Sequence, residues 1–241
     1  MTLTPCQRTD ALTAIDVNDS QMGDLERERL LGALIGVHAR HFPDYPYVTD
    51  RLVAQAEPQD TVAHAWLLCV NGRPAGEFLF HTCMRRGIAQ LHYVAMDHAG
   101  SAQLPLGWLA DVTDTALATS VKEAAAQGVE LLGIAGEMFS TPRDYRRWRR
   151  KGFLILAMDY REPVAGRDWR FRPNDFRGLT IGLRLTEAGK AADPEVVLDA
   201  VLSAFLLDYY GLPADHPEVV RMFDEAARLG LRELPDEVIN G

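Results

Sequence analysis

The sequence predicts an α+β fold: a mixed, mostly antiparallel central sheet flanked by helices, with a helical C-terminal extension. Three observations predict this class. Asn71 and Gly72 lie between two apolar runs, which is typical of a tight β-hairpin. The stretch from Ile88 to Met138 has the pattern of a strand, an irregular turn, a long helix and a second strand. From Asp193 onward, two amphipathic segments each begin with proline in the first turn and end at glycine.

The elements before the hairpin follow from local patterns. Ala11 to Asp19 is predicted to be a strand that ends in a polar turn. Asp24 is expected to cap the helix that follows it, because a carboxylate can accept from free N–H groups in the first turn. A short second helix is predicted for the segment VTDRLVAQA, with Thr49 or Asp50 as its cap.

The segments TVAHAWLLCV and AGEFLFHTCM form the two predicted strands of the hairpin. A third strand begins at Ile88 after Arg85-Arg86-Gly87, which predicts a second hairpin and three consecutive antiparallel strands. The long helix that follows ends near Gly128, a residue type typical of the position just beyond a helix.

In the second half of the chain, Ser140 or Thr141 is expected to cap a short helix that ends at Gly152. The segment LILAMDY is predicted to be a strand, and RGLTIGLRLTE one more strand that could pair with it. Between them, REPVAGRDWRFRPNDF is rich in Pro, Gly and Asp and is predicted to be a loop.

Charge and cysteine content limit the function. The 241 residues carry a formal net charge of −9, which argues against a general nucleic-acid binder. Residues 188–241 account for −7 of this charge, so we expect a main domain over 1–187 and an acidic helical extension over 188–241. Cys6, Cys69 and Cys83 are too few and too scattered for a disulfide framework, and we expect buried free thiols at the last two.

The N-terminus has no apolar segment typical of a secretory signal, and no run of about 18 apolar residues occurs. We therefore expect a cytoplasmic protein without a membrane partner.

The order of elements resembles the GNAT superfamily of acyl-CoA N-acyltransferases over roughly residues 11–186. Three segments carry the resemblance. NGRPAGEFLF is similar to the hairpin that precedes the family's third strand, and LHYVAMDHAG…LPLGWLADV lies where the family has its acetyl-CoA strand and pyrophosphate loop. DYRRWRRKGF is similar to the family's short helix, which ends in a Gly-Phe pair.

The resemblance implies acetyl-CoA as the acyl donor, with its pantetheine arm bonded to a strand and its pyrophosphate bound by amides at a helix start. The strands from Leu91 and Val129 would then part to admit the cofactor. The cofactor-binding positions that it implies are Val94, Ala95, Met96, Leu106, Gly107 and Trp108. Only Gly107 matches the family's glycine pattern in the loop, and Pro105 removes one N–H donor.

The resemblance also implies a general acid and a general base. The family's acid is a tyrosine four residues before the Gly of Gly-Phe, but Trp148 stands there, and Tyr145 on roughly the same helix face could replace it. Glu77 or His92 could act as the base through water, and Glu137 is a similar case. Packing is the alternative for Tyr145, and a half-buried strand histidine is the alternative for His92.

Other residues allow further readings. His38 and His41 could ligate a metal with Asp44, although we expect none, and His98 could be an exposed turn residue. A run of basic residues could meet a 3′-phosphate or an acidic partner, or could simply be a solvated face. The run consists of Arg143, Arg146, Arg147, Arg149, Arg150 and Lys151.

The predicted function is acyl transfer, in first place acetyl transfer, from a CoA thioester to a primary amine by direct attack. An inactive GNAT-like binding or interaction module is the alternative, and an acyl-carrier-dependent transferase such as a signal-lactone synthase is a third. Around Tyr209 and Tyr210, an apolar cluster in the C-terminal extension could pack on the core, cover a substrate cleft or form a homodimer interface.

Overall fold

Strands of the protein form a mixed, mostly antiparallel sheet with flanking helices, which confirms the predicted fold class. The structure is a computed structural model. It describes residues 7–8, 11–45, 60–165 and 171–240. Within the described part of the chain, no helix is both long and apolar enough to cross a membrane.

The chain groups into two compact units. The first consists of residues 1–82 and 91–119, and the second of residues 83–90 and 120–241. The domain boundary after residue 187 stays a prediction.

The first unit contains the N-terminal strands and the long helix. Its strands are Gln7–Arg8 (β1), Leu12–Asp16 (β2), Thr61–Val70 (β3), Arg73–Cys83 (β4) and Ile88–Met96 (β5). Its helices are Asp24–His41 (α1), His98–Ser101 (α2) and Trp108–Ala126 (α3). Cys83, the first three residues of β5 and the end of α3 belong to the second unit.

The Asn71-Gly72 hairpin is present as predicted. Asn71 has φ 49° and Gly72 has φ 75°, so both turn residues are in the left-handed region that a type I′ turn requires. The strands on either side contribute fully buried aromatic side chains, including Trp66, Phe78 and Phe80. This turn therefore fixes the pairing of β3 with β4, the strand that carries Glu77.

Two predictions for the first unit need correction. Asp24 does not cap α1: Gly23 is the cap residue, and Asp24 lies in the first helical turn, where its charge favours the helix dipole. The irregular turn after β5 contains the short helix α2. The helix predicted for VTDRLVAQA, with Thr49 or Asp50 as its cap, lies outside the described residues.

The second unit is built around one long strand. Its strands are Gly133–Met138 (β6), Leu154–Ile155 (β7), Tyr160–Ala165 (β8) and Phe171–Leu185 (β9). Its helices are Pro142–Arg149 (α4), Glu187–Ala191 (α5), Pro194–Leu202 (α6), Pro217–Leu229 (α7) and Asp236–Asn240 (α8). Strand β9 pairs antiparallel with β6, β7 and β8.

The prediction of a loop over residues 161–176 is wrong, because most of this segment belongs to β8 and β9. Pro163 is tolerated because the register shifts between Pro163 and Ala165, and an irregular position can omit a ladder hydrogen bond. The predicted strand LILAMDY is also interrupted. The Tyr160 N–H donates to the Met158 carbonyl at 2.9 Å, which marks a turn between β7 and β8.

The C-terminal helices pack on the core of the second unit. Helix α6 continues into a π-helical segment, Ser203–Tyr209, in which Phe205 and Leu206 are fully buried. Phe205 belongs to one apolar cluster with Ile181 and Leu183 of β9. Of the alternatives for the aromatic cluster, packing on the core is thus observed.

The last residues run along β7 and α4. The Ala157 N–H donates to the Arg232 carbonyl at 2.9 Å, and the Leu234 N–H donates to the Ile155 carbonyl at 2.7 Å. Arg149 forms ion pairs with Glu233 and with Asp236 of α8. The basic run therefore meets an acidic partner within its own chain.

Candidate active site

Glu77, one predicted base, is fully buried on β4 in the first unit. Its carboxylate lies 2.9 Å from Nδ1 of His38 on α1, and Nε2 of His38 lies 2.9 Å from the Tyr45 carbonyl oxygen. The His38 ring also contacts the rings of Phe42 and Tyr93. Glu77 therefore belongs to a buried carboxylate–imidazole pair, so any proton that it accepts is shared with His38.

His92, the second predicted base, is paired with another histidine. Its Nε2 lies 3.2 Å from Nδ1 of His81, with the ring centroids 4.5 Å apart. Between two such nitrogens, one donates and the other accepts, so the rings can pass a single proton. The sequence analysis missed His81, although it lies in β4, the strand next to the one that carries His92.

The two histidines that the sequence offered as metal ligands bind carboxylates instead. His38 contacts Glu77, and Nε2 of His41 lies 2.9 Å from a carboxylate oxygen of Asp97. Among the described residues, no group of three or more His, Cys, Asp or Glu side chains is arranged to hold a metal ion.

The predicted cofactor positions occupy the end of β5 and the start of α3. Val94, Ala95 and Met96 are partly buried. The Leu106 side chain is fully exposed, and Gly107 has φ 97°. The turn at Leu106 and Gly107 is therefore exposed to solvent.

One predicted amide donor at this turn is already used. The Trp108 N–H donates to the Pro105 carbonyl at 3.3 Å. Among the described residues, no backbone carbonyl accepts a hydrogen bond from the N–H of Leu106 or Gly107. Two consecutive amides at the start of a helix of 19 residues are thus available to an anion.

Tyr145, the predicted acid, is 6% exposed on α4 in the second unit. Its hydroxyl lies 3.2 Å from Oγ1 of Thr180 on β9, which lies 2.9 Å from Oγ of Ser140. Ser140 is exposed, so a chain of three hydroxyls leads from Tyr145 to the surface. Thr141 caps the helix as expected, accepting from the Asp144 N–H at 3.2 Å.

Trp148 fills the position of the family's tyrosine and serves packing. Its ring lies at 4.7 Å from the Phe153 ring. A Cβ built on Gly182 of β9 would approach Trp148 Cε3 to 3.0 Å, so the indole needs this glycine. The indole ring cannot supply a hydroxyl proton, which leaves Tyr145 as the hydroxyl donor of this helix.

Glu137, at the end of β6, is the centre of a second group of polar side chains. Its Oε1 accepts from the Tyr160 hydroxyl at 2.5 Å, and its Oε2 lies 2.6 Å from the Tyr210 hydroxyl. Oε2 of Glu162 lies 3.0 Å from the same Tyr210 hydroxyl, and Glu162 also pairs with Arg177. The Tyr210 hydroxyl has a single hydrogen, so it can donate to only one of the two acids. A proton on Glu137 lets Glu137 donate to the Tyr210 oxygen while Tyr210 donates to Glu162.

Burial, with the negative charge of Glu162 as a further cause, raises the pKa of Glu137 from 4.5 to about 8. Burial likewise raises the pKa of Tyr160 and of Tyr210 well above the ordinary tyrosine value. Glu137 therefore exchanges its proton near neutral pH.

The sequence analysis named Glu137 but missed Tyr160 and Glu162. The predicted loop hid the strand alternation that places these two residues on one face. Tyr210 lies far along the chain and reaches Glu137 only because the C-terminal helices pack on β6 and β9.

Glu137→Gln is expected to reduce the pH dependence of stability. The unfolded chain loses the Glu137 proton near pH 4.5, whereas the folded protein keeps it up to about pH 8. The wild-type free energy of unfolding therefore falls as the pH rises through this window. Glutamine stays neutral in both states, so this loss is absent in the variant. As the pH rises from 5 to 8.5, the variant should gain stability relative to the wild type, as measured by urea unfolding.

Glu195→Gln is the matched control, because Glu195 is exposed on α6. It should follow the wild-type curve. If Glu137→Gln and the wild type show the same slope with pH, the raised pKa assigned to Glu137 is wrong.

No protein-family model and no curated protein sequence matches the chain. Solved structures do match. A protein from Chromobacterium violaceum described as a probable acetyltransferase of the GNAT family has a TM-score of 0.48 and 13% identity, over 80% of this chain and 96% of its own. An acetyl transferase from Salmonella typhimurium that modifies the N-terminal serine of ribosomal protein L7/L12 has a TM-score of 0.48 and 11% identity, over 74% and 97%.

A third structure is a GNAT-family acetyltransferase from Elizabethkingia anophelis with acetyl-CoA bound. It has a TM-score of 0.44 and 9% identity, over 74% of this chain and 100% of its own. These structures are acetyltransferases, and two are described as GNAT-family proteins, the family that the sequence pattern resembles.

Proposed function

We propose that the protein is an N-acyltransferase that moves an acetyl group from acetyl-CoA to a primary amine. The observation that carries the proposal is the pair of amides at Leu106 and Gly107 at the start of α3, which donate to no backbone carbonyl of the described residues. A diphosphate at this point would accept from both N–H groups and gain from the helix dipole. The pantetheine arm would bond to the backbone of Val94, Ala95 and Met96 as an added strand does.

In the proposed reaction, the amine attacks the thioester carbonyl and the CoA thiolate leaves. Tyr145 donates its hydroxyl proton to that thiolate and regains a proton through Thr180 and Ser140. This role uses the one hydroxyl group that the side chains of α4 contain.

Glu77, His92 and Glu137 are the candidates for the base that takes the amine proton. Glu137 is supported best, because its pKa of about 8 lies near the working pH of a cytoplasmic enzyme. Glu77 is fully buried and bonded to His38, and His92 is bonded to His81. A loss of kcat in Glu137→Gln with a retained KM for acetyl-CoA would select Glu137.

Calorimetry with acetyl-CoA tests the proposed cofactor site. Leu106→Pro removes one of the two N–H groups and is expected to weaken binding by about tenfold or more, as for one hydrogen bond to a charged group. Leu106→Ala keeps the N–H and removes only an exposed side chain, so it should bind as the wild type does. Equal affinities for the two variants would contradict the assigned role of this amide.

A catalytically inactive binding module is the second candidate, and Trp148 favours it. The residue at the position of the family's acid is packed against Phe153 and beside Gly182. Such a module would bind acetyl-CoA without amine-dependent turnover. An assay of amine-dependent acetyl transfer therefore distinguishes the two candidate functions.

A further inference from the structure

We propose that Lys151 is a site of acylation on this chain, where an acyl thioester modifies the side-chain amine. The proposal goes beyond the proposed function, because a thioester can react with an amine without an enzyme. The chain has only three lysines: Lys122, Lys151 and Lys190. Their surroundings differ enough for one native protein to serve as its own comparison.

Lys151 is held against an aromatic ring. It follows the end of α4, where its N–H donates to the Trp148 carbonyl at 2.9 Å. Its Nζ lies 5.7 Å from the centroid of the Trp148 ring. Phe153 fixes that ring by an edge contact, so the half-buried amine has an apolar surface on one side.

The charges around Lys151 are mainly positive. Arg147 and Arg150 lie close enough to disfavour another cation. From β9, Arg184 reaches the same turn, since a Cβ on Gly152 would lie 3.5 Å from its Nε.

Asp144 is an acid that favours the charged form of Lys151, but it already has other partners. Asp144 accepts from the Thr141 hydroxyl at 2.6 Å and lies 4.0 Å from Arg147. No carboxylate of the described residues lies within 4.0 Å of the Lys151 amine. Burial, with Arg147 and Arg150 as further causes, lowers the pKa of Lys151 to about 8.

The other two lysines lack this environment. Lys190 forms a 2.6 Å ion pair with Glu187, which favours its charged form. Lys122 is exposed on α3. At pH 7.5, about a quarter of Lys151 amines are neutral at a pKa of about 8, against about one in a thousand for an ordinary lysine.

The chemistry balances without a further reagent. The neutral amine attacks the thioester carbonyl, a C–N bond forms and the C–S bond breaks. The thiolate leaves, and the proton of the nitrogen passes to solvent. The product is an amide at Lys151, which removes one positive charge from the end of α4.

The test is an internal competition in the full-length protein at pH 7.5. Two donors are used: acetyl-CoA, and S-acetyl-N-acetylcysteamine, a small thioester that has no nucleotide. Peptide mass spectrometry then gives the initial acetylation rate of each lysine. We expect Lys151 to react at least about fivefold faster than Lys122 and Lys190 with the small donor.

Selectivity for Lys151 with either donor supports the proposal, and equal or slower reaction of Lys151 with both donors overturns it. In urea the three rates should converge, because the selectivity depends on the fold. Arg150→Gln should slow acetylation of Lys151, since it removes a nearby positive charge, while Arg228→Gln on α7 should not. The small donor separates this outcome from the proposed function, which requires the CoA site.

Discussion

Tyr145→Phe is expected to lower kcat for amine acetylation by about 10²–10⁴-fold, the range typical of a general acid. The KM for acetyl-CoA should change little, because the proposed cofactor contacts come from β5 and the start of α3. Phenylalanine keeps the ring that α4 packs into the second unit and removes only the hydroxyl at 3.2 Å from Thr180. Steady-state kinetics with a saturating amine measures this change.

Tyr45→Phe is the matched control, since the backbone of Tyr45, rather than its hydroxyl, binds His38. This variant should retain the wild-type kcat. Thermal unfolding of both variants separates a lost proton donor from a lost fold. A Tyr145→Phe enzyme with the wild-type kcat and stability would remove Tyr145 from the reaction.

Phe205→Ala is expected to destabilise the protein by about 3–5 kcal/mol, the range for removing a buried aromatic side chain. Phe205 is fully buried in the cluster that contains Ile181 and Leu183 of β9. The cavity would lie where the C-terminal helices meet the sheet. Urea unfolding followed by circular dichroism measures the free energy of unfolding.

Val196→Ala is a suitable control, because Val196 on α6 is 55% exposed. Its free energy of unfolding should differ from the wild type by less than about 1 kcal/mol. If Phe205→Ala were equally mild, the packing of the acidic extension on β9 would contribute little to stability.

Strong local patterns made the hairpin and the end of the long helix predictable. Asn71-Gly72 requires two positive φ angles, and few other residue pairs accept them, so the hairpin and its strands followed directly. Gly128 has φ 71° just beyond α3, as expected for a residue that ends a helix. Cys69 and Cys83 are buried free thiols, as predicted.

The second unit was harder to predict because its pairing is not local. Pro163 is a turn residue by local preference, yet pairing with β9 holds it in a strand. The group around Glu137 joins β6, β8 and the end of the π-helical segment, whose sequence separations leave no periodic signal. Its members therefore became visible only with the fold.

The candidate site residues were likewise predictable one by one, but their partners were not. The family resemblance pointed to Glu77 and His92 on predicted strands and to Tyr145 on a predicted helix. Their partners His38, His81 and Thr180 come from other elements, so only the structure could supply them.

Amine-dependent release of free CoA from acetyl-CoA is the measurement that tests the central claim most directly. A thiol-reactive dye follows the release while a panel of primary amines, including peptides with a free N-terminus, is varied at millimolar acetyl-CoA. The proposed transferase should give a rate that rises with amine concentration and saturates, and that falls sharply in Tyr145→Phe. Release that is absent, or equal with and without every amine, would contradict the claim.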